Sequence, residues 1–217
     1  GNFLMSRGEK CIAEAFNGQL KQLRGRFFVV IRILVDGEGG IYACRDVLAA
    51  AGIIVEPVGR GMHVPAVEIR NKIIKQIFRS VLHSLPYKLP KFLYKYLVFF
   101  SISRINMYPV SSRADPTPAR ELFTGRKIDY KRDVRIGFGE YVQIDAYPNP
   151  RNDATKSRTV GALALDPRGN LHGSVRFYVL GTEKKRVTIV TRDSWVKMVM
   201  TPEIIDYIND ISKLNES

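Results

Sequence analysis

The stretch Phe27-Phe28-Val29-Val30-Ile31-Arg32-Ile33-Leu34-Val35-Asp36-Gly37-Glu38-Gly39-Gly40 decides how the rest of the chain is read. From Phe27 to Val35 it is β-branched, aliphatic or aromatic with Arg32 as its polar interruption, the pattern of a strand buried on both faces. The run ends in an acidic, glycine-rich tip. A carboxylate just past a buried strand lies where open α/β sheets gather ligand chemistry, at the carboxyl edge, so Asp36 is a candidate metal ligand. The plainer reading is that Asp36 and Glu38 cap a helix beginning near Ile41.

Working outward, Ser6 to Leu23 places Cys11, Ile12, Ala15, Phe16, Leu20 and Leu23 at helical spacing, and Arg24-Gly25-Arg26 breaks that helix before the strand. Beyond the tip, Ile41 to Ala51 reads as a short helix closed by Gly52 at its C′ position. Ile53 to Val58 then reads as a second buried strand, which gives a parallel βαβ unit with a right-handed crossover. A loop containing Arg60 leads into a helix from Val67 to about Leu85. On it Glu68, Lys72, Lys75 and Arg79 fall on one line, with Ile69, Ile73, Ile74, Ile77, Phe78 and Val81 opposite. A Glu68–Lys72 pair would by itself explain part of that line, at only about 0.2–0.5 kcal/mol. Three cations behind one carboxylate also suit a phosphodiester backbone beside a metal ion.

Two prolines in Leu85-Pro86-Tyr87-Lys88-Leu89-Pro90 interrupt the helical pattern, which resumes from Lys91 to Met107 with an aromatic density that reads as core. Arg113 to Asp133 is polar and marks a domain boundary, with one short helix ending at Gly125. From Val134 onward the texture becomes strands and turns: Val134–Ile144, Thr159–Leu165, Gly173–Leu180 and Val187–Thr191, with Asp166-Pro167-Arg168-Gly169-Asn170 as a hairpin turn. Pro202 to Ile211 forms a final amphipathic helix.

The formal charge of +13 and pI near 9.9 call for a polyanionic partner. Residues 1–110 hold 16 Lys/Arg against 7 Asp/Glu, and Arg70 to Arg104 contains no acid, so the first half is the polyanion side. Cys11, Cys44, His63, His83 and His172 lack paired spacing, which predicts neither zinc nor a disulfide. The apolar run Tyr96 to Ile102 is much shorter than the roughly 20 residues of a spanning helix, so no membrane partner is expected. The chain starts at Gly1 and carries no secretory leader pattern, as a piece of a longer protein would. Serine-hydrolase, thiol-protease and P-loop patterns are absent, and Gly137-Phe138-Gly139 is too short for a phosphate loop.

In order, Val35-Asp36-Gly37-Glu38-Gly39, Gly52-Ile53, Val67-Glu68, Leu85-Pro86-Tyr87-Lys88-Leu89-Pro90 and Thr117-Pro118-Ala119-Arg120-Glu121-Leu122-Phe123-Thr124-Gly125-Arg126-Lys127 resemble the integrase region of copia-type LTR retrotransposon Pol polyproteins. Phe138-Gly139-Glu140-Tyr141-Val142 and Thr191-Arg192-Asp193-Ser194-Trp195 look like strands of the domain that follows the core in that family. The resemblance implies an α/β fold: a partial RNase H-like core over 1–110, a linker over 111–133, and a small SH3-like β-barrel domain with a C-terminal helix over 134–217. It implies metal-dependent DNA strand transfer with Mg2+ or Mn2+ and DNA as partner, homo-oligomerisation through the core, and an intracellular, nuclear location. By resemblance Asp36 is the second and Glu68 the third catalytic, metal-holding carboxylate. Lys72, Lys75, Arg79, Arg60 and Lys88 are the nucleic-acid-binding set.

The chain departs from the family in four ways. The first catalytic Asp is not in this chain, so the fragment is expected to be inactive alone. The interval from Asp36 to Glu68 is short, and Ile69 stands where a basic residue is common. The zinc module usual upstream is missing. The alternative reading is a non-enzymatic basic nucleic-acid or chromatin binding module.

Overall fold

The computed structural model describes residues 9–35, 45–57, 65–109, 116–146, 157–181 and 187–214. The chain is mixed α/β and divides into two compact units, Gly1–Ile73 with Glu121–Gly125 and Ile74–Arg120 with Arg126–Ser217. Among the described residues no helix is long and apolar enough to cross a membrane.

The first unit is built on α1 (Glu9–Arg24), β1 (Arg32–Val35), α2 (Arg45–Ala50) and β2 (Ile54–Pro57). β1 and β2 pair in parallel from Arg32↔Ile54 to Val35↔Pro57, as the βαβ reading requires. Ile33, Val35, Ile53 and Val55 join Ile12, Ala13, Phe16 and Leu20 of α1 and Leu48 of α2 in one core. The expectation of a nine-residue strand buried on both faces is corrected. β1 has four residues and an alternating burial pattern, with Leu34 and Ile54 half exposed on the outer face beside an Arg32–Glu56 pair at 3.2 Å. Both helices serve one side of the pair, so the apolar run from Phe27 feeds a one-sided strand. Val29 and Ile31 remain largely exposed.

Phe27 is the other departure. The Phe28 N–H reaches Leu23 O at 3.1 Å and the Phe27 N–H reaches Arg24 O at 3.0 Å, which is a Schellman ending with Phe27 at C′. Its φ is +62°, and its side chain is 97% exposed. The end of α2 makes the same pair of bonds, Ile53 N–H to Leu48 O and Gly52 N–H to Ala49 O, but with Gly52 at φ +74°. An L-residue with a large side chain loses about 1–2 kcal/mol in the left-handed region, and this one recovers nothing by burial. Phe27→Gly is therefore expected to stabilise the protein by about 1 kcal/mol, net of the extra chain entropy of glycine. An unchanged or lower urea midpoint would contradict this.

The second unit takes the end of α3 (Pro65–Ser84), a 3-10 turn at Lys91–Leu93, α4 (Tyr94–Asn106), the first two residues of α5 (Ala119–Thr124), then α6 (Tyr130–Asp133), β3 (Tyr141–Asp145), β4 (Thr159–Pro167), β5 (Val175–Val179), β6 (Ile189–Arg192), β7 (Val196–Lys197) and α7 (Pro202–Leu214). The strands form one antiparallel sheet in the order β6-β5-β4-β3-β7. Leu163, Leu165 and Tyr178 on one face pack with Leu93, Leu97 and Phe100 of the α4 region and with Ile208 and Ile211 of α7. Val142, Ile144, Ala162, Ala164, Val175 and Phe177 on the other face enclose a second core with Ile136 and Trp195.

This sheet curls. β6 and β7 are opposite edges, yet only Asp193, Ser194 and Trp195 connect them. Such a link spans at most about 14 Å at about 3.3–3.6 Å per residue. The edges of a flat five-stranded sheet stand about 19 Å apart at about 4.8 Å per strand. The Arg192 guanidinium also donates to Asp145 O at 3.3 Å, from one edge strand to the strand beside the other edge. The sheet nevertheless remains open: β6 and β7 are not hydrogen-bonded to each other, and no closed barrel is formed by the described residues.

Candidate nucleic-acid interface

The expected site residues fall in different surroundings. Asp36 follows Val35, the buried last residue of β1, in the sequence, but Asp36 itself and Arg60 lie outside the described residues. Glu68 occupies the first turn of α3 and is exposed, with Lys72 one turn further along. A carboxylate in a first turn is stabilised by the partial positive charge of the helix N-terminus, which accounts for Glu68 without a ligand. Glu68 and Lys72 belong to the first unit, whereas Lys75, Arg79 and Lys88 belong to the second. Lys75, Arg79 and Lys88 are all exposed. The Lys88 backbone N–H donates to Asn209 Oδ1 at 2.8 Å, which ties the two-proline segment to α7 and holds this lysine at the surface.

Two charged constellations of the second unit were not legible as sites. The first surrounds Asp133. Asp129 caps α6 by accepting from the Lys131 and Arg132 N–H groups, and its own N–H donates to Asp133 Oδ2 at 3.2 Å. Arg132 Nε and Nη2 donate to the two oxygens of Asp133 at 3.1 and 3.0 Å. Arg120 and Arg126 bring a nitrogen within 3.7 and 3.9 Å of Oδ1. Burial pushes the Asp133 carboxyl upward, but the Arg132 hydrogen bond, the Arg120 charge and the Asp129 N–H outweigh it and hold the group below the usual carboxylate range. The second constellation is the Asp166–Arg176 pair, where Arg176 Nε donates to Oδ1 at 2.8 Å and Nη2 to Oδ2.

Asp133→Asn is expected to cost about 1.5–3 kcal/mol, since charge-assisted hydrogen bonds disappear while the arginines stay. The pH dependence follows from the lowered carboxyl. Its stabilisation is present above the unfolded-state value near about 3.9 and is lost as pH falls through the folded-state value. Urea midpoints of the two proteins should therefore differ most above about pH 5 and converge in stronger acid. A gap of constant size down to pH 3 would contradict the assignment.

A cleft of about 520 Å3 in the second unit is walled by Leu85, Phe100, Phe138, Met198 and Met200. Its charged groups, Glu140 and Lys197, meet at 2.8 Å and neutralise each other, so the cleft gives an anion little to bind. Compared with known proteins, the chain matches no family model and no curated protein.

Proposed function

We propose that this chain is part of a copia-type integrase, a DNA-handling protein of the RNase H-like nucleotidyl-transferase class whose second unit carries an SH3-like sheet. The observation that carries the reading is the parallel pairing of β1 with β2. A parallel pair brings both carboxyl ends to one edge, so β1 and β2 finish together at Val35 and Pro57, and the next residue after Val35 is Asp36. The following helix carries Glu68 in its first turn. That succession is the one in which the second and third carboxylates of this family follow each other. In the second unit, four strands in meander order with the fifth returning beside the first support the SH3-like reading, as does the three-residue link between fourth and fifth.

The described residues contain no group of three metal-ligating side chains. Asp36 and Glu68 are the groups that would hold a divalent ion here, both being hard oxygen donors of the kind Mg2+ and Mn2+ prefer. When bound, such an ion supplies Lewis-acid stabilisation to the oxygens displaced at phosphorus. Lys72, Lys75 and Arg79, exposed along α3, supply charge for the phosphodiester backbone.

The purified chain is expected to bind duplex DNA with affinity that falls steeply with salt and with little sequence preference. Neutralising Lys72, Lys75 and Arg79 together should reduce the slope of log affinity against log salt by about 0.9 for each of these cations that meets a phosphate. Binding insensitive to ionic strength would sink the reading. Asp36→Asn with Glu68→Gln separates it from the non-enzymatic binding module. Under the integrase reading the double substitution removes Mn2+ binding measured by paramagnetic broadening, and under the alternative it changes nothing.

A further inference from the structure

β7 is an edge strand of the second unit: it pairs with β3 on one side, and among the described residues no strand pairs with its other side. The Met198 N–H donates to Tyr141 O at 3.1 Å, which continues the ladder past Lys197, the last residue of the strand. Backbone groups alternate in direction along an antiparallel strand, so the N–H groups of Lys197 and Val199 face the open side. The side chains along this edge are apolar and uncovered: Val196 is 64%, Met198 47% and Val199 80% exposed. The opposite edge differs, since Ile189 and Val190 of β6 pack into the two cores. Natural edge strands are commonly blunted by a lysine. Lys197 is the charged residue of β7, but Glu140 meets it at 2.8 Å and neutralises it. Beside the strand opens the cleft of about 520 Å3, to which Met198 and Met200 contribute with Leu85, Phe100 and Phe138. Its size falls in the range of about 300–1,000 Å3 usual for ligand pockets, and methionine walls adapt to apolar groups of varied shape.

We propose that the open edge of β7 and the cleft beside it dock an extended peptide of a partner protein, apolar at alternate positions and acidic at its ends. The edge selects the occupant. Outward N–H and C=O groups in a row are matched by another backbone in extended form, which a small apolar molecule does not provide. Pairing there adds a strand to the sheet, and every second side chain of that strand falls on the side of the cleft. Apolar walls and a Glu140–Lys197 pair that is already neutral favour an uncharged aliphatic or aromatic group at that position. Acidic ends follow from charge complementarity, because the chain carries a formal charge of +13 and its field draws in anionic segments. The site uses none of the α3 cations and is independent of the DNA-handling reading.

The probe is a fluorescein-labelled peptide in which valine alternates with threonine between paired aspartates, titrated with the full chain by fluorescence polarisation. It should bind, and methylating the peptide nitrogens that face β7 should weaken it by about tenfold, because the side chains stay while the ladder bonds go. In amide exchange followed by NMR, the peptide should add protection at Lys197 and Val199 and leave Met198, already bonded to Tyr141, unchanged. Val199→Pro removes an outward N–H and should also weaken binding by about tenfold, whereas Val199→Thr should keep most of it. Lysines in place of the aspartates should weaken binding at low salt and matter less at high salt. A probe that does not bind, or a methylated probe that binds equally well, would overturn the inference. Protection at Lys197 and Val199 that rises with the concentration of the chain alone would overturn the partner assignment in favour of a second copy. If Val199→Pro lowers the melting temperature, the methylated probe and the exchange pattern decide the matter, since both use the unaltered chain.

Discussion

Arg176→Ala is expected to destabilise the protein by about 3–5 kcal/mol, a large part of the roughly 5–15 kcal/mol that holds a domain together. Asp166 is buried, with its side chain 5% exposed, and Arg176 meets it with a two-pronged hydrogen bond. The same guanidinium lies 4.9 Å from the ring centre of Tyr96 and 5.3 Å from that of Phe99, both on α4. Truncation removes the counter-charge of a desolvated carboxylate and also the plate on which α4 rests against β5. Burial already raises the Asp166 carboxyl above its ordinary value, with Arg176 opposing the rise.

The sign of the pH effect follows from that opposition. Without Arg176 the carboxyl rises further, so the folded state keeps its proton to higher pH than the unfolded chain does. Stability of the variant is then greatest below the unfolded value near about 3.9 and declines as pH rises toward the folded value. The deficit of Arg176→Ala relative to wild type should thus be widest at neutral pH and smaller in acid. Asp166→Leu combined with Arg176→Met, which removes both charges, should recover most of the loss. A single substitution costing under about 1 kcal/mol at pH 7 would mean that the pair behaves as an ordinary surface ion pair.

That pair also shows where sequence reading reaches its limit. Asp166 reads as the first residue of a turn, yet it belongs to β4 and is buried. Ala164 pairs with Phe177 and Pro167 with Val175, so the register shifts by one between them. The bulge turns Asp166 to the face of Leu163 and Leu165, the face on which Arg176 meets Tyr96 and Phe99. Strict alternation would put Asp166 on the opposite face, and nothing in the local composition announces the extra residue.

Elements with a sustained apolar stripe were readable for the converse reason. The helices expected at Val67–Leu85, Lys91–Met107 and Pro202–Ile211 are observed as Pro65–Ser84, Tyr94–Asn106 after a 3-10 turn, and Pro202–Leu214. Helical periodicity over several turns leaves few alternatives. Strands β4, β5 and β6 are observed close to their expected places, while residues 134–140 form no part of β3, which begins at Tyr141. The two-residue β7 and the four-residue α6 are too short to carry a period. Phe27 misled for a conformational reason: a bulky apolar residue reads as strand, and its left-handed backbone at a helix end leaves no mark on hydropathy. At the candidate interface, the α3 stripe was legible because one helix carries it. The Asp133 cluster was not, because only the fold brings Arg120 and Arg126 to the carboxylate that the adjacent Arg132 already meets.

Gly139→Ala should be the other severe substitution, at about 3–5 kcal/mol, and its origin is packing around one backbone position. Gly139 has φ +79°, and its N–H donates to Ala164 O at 2.7 Å, which fixes the backbone at the entry to β3. A Cβ there would stand 2.5 Å from both Leu85 Cδ2 and Tyr87 Oη. The Tyr87 hydroxyl, buried and raised well above its ordinary value by that burial, donates to Gly139 O at 2.9 Å. Alanine must then bear about 1–2 kcal/mol of left-handed backbone strain and about 1–3 kcal/mol of overpacking, and it displaces the hydroxyl whose bond contributes about 0.5–1.5 kcal/mol. Tyr87→Phe alone is expected to cost about 1–2 kcal/mol, because it leaves the Gly139 carbonyl without its buried donor. The two substitutions act on the same hydroxyl, so their costs should not add: Gly139→Ala in a Tyr87→Phe background loses less than the sum, and the Leu85 clash and the backbone strain set what remains. Full additivity in guanidinium denaturation would show that the tyrosine hydroxyl and the glycine act independently, and a Gly139→Ala protein within about 0.5 kcal/mol of wild type would refute the close approach itself.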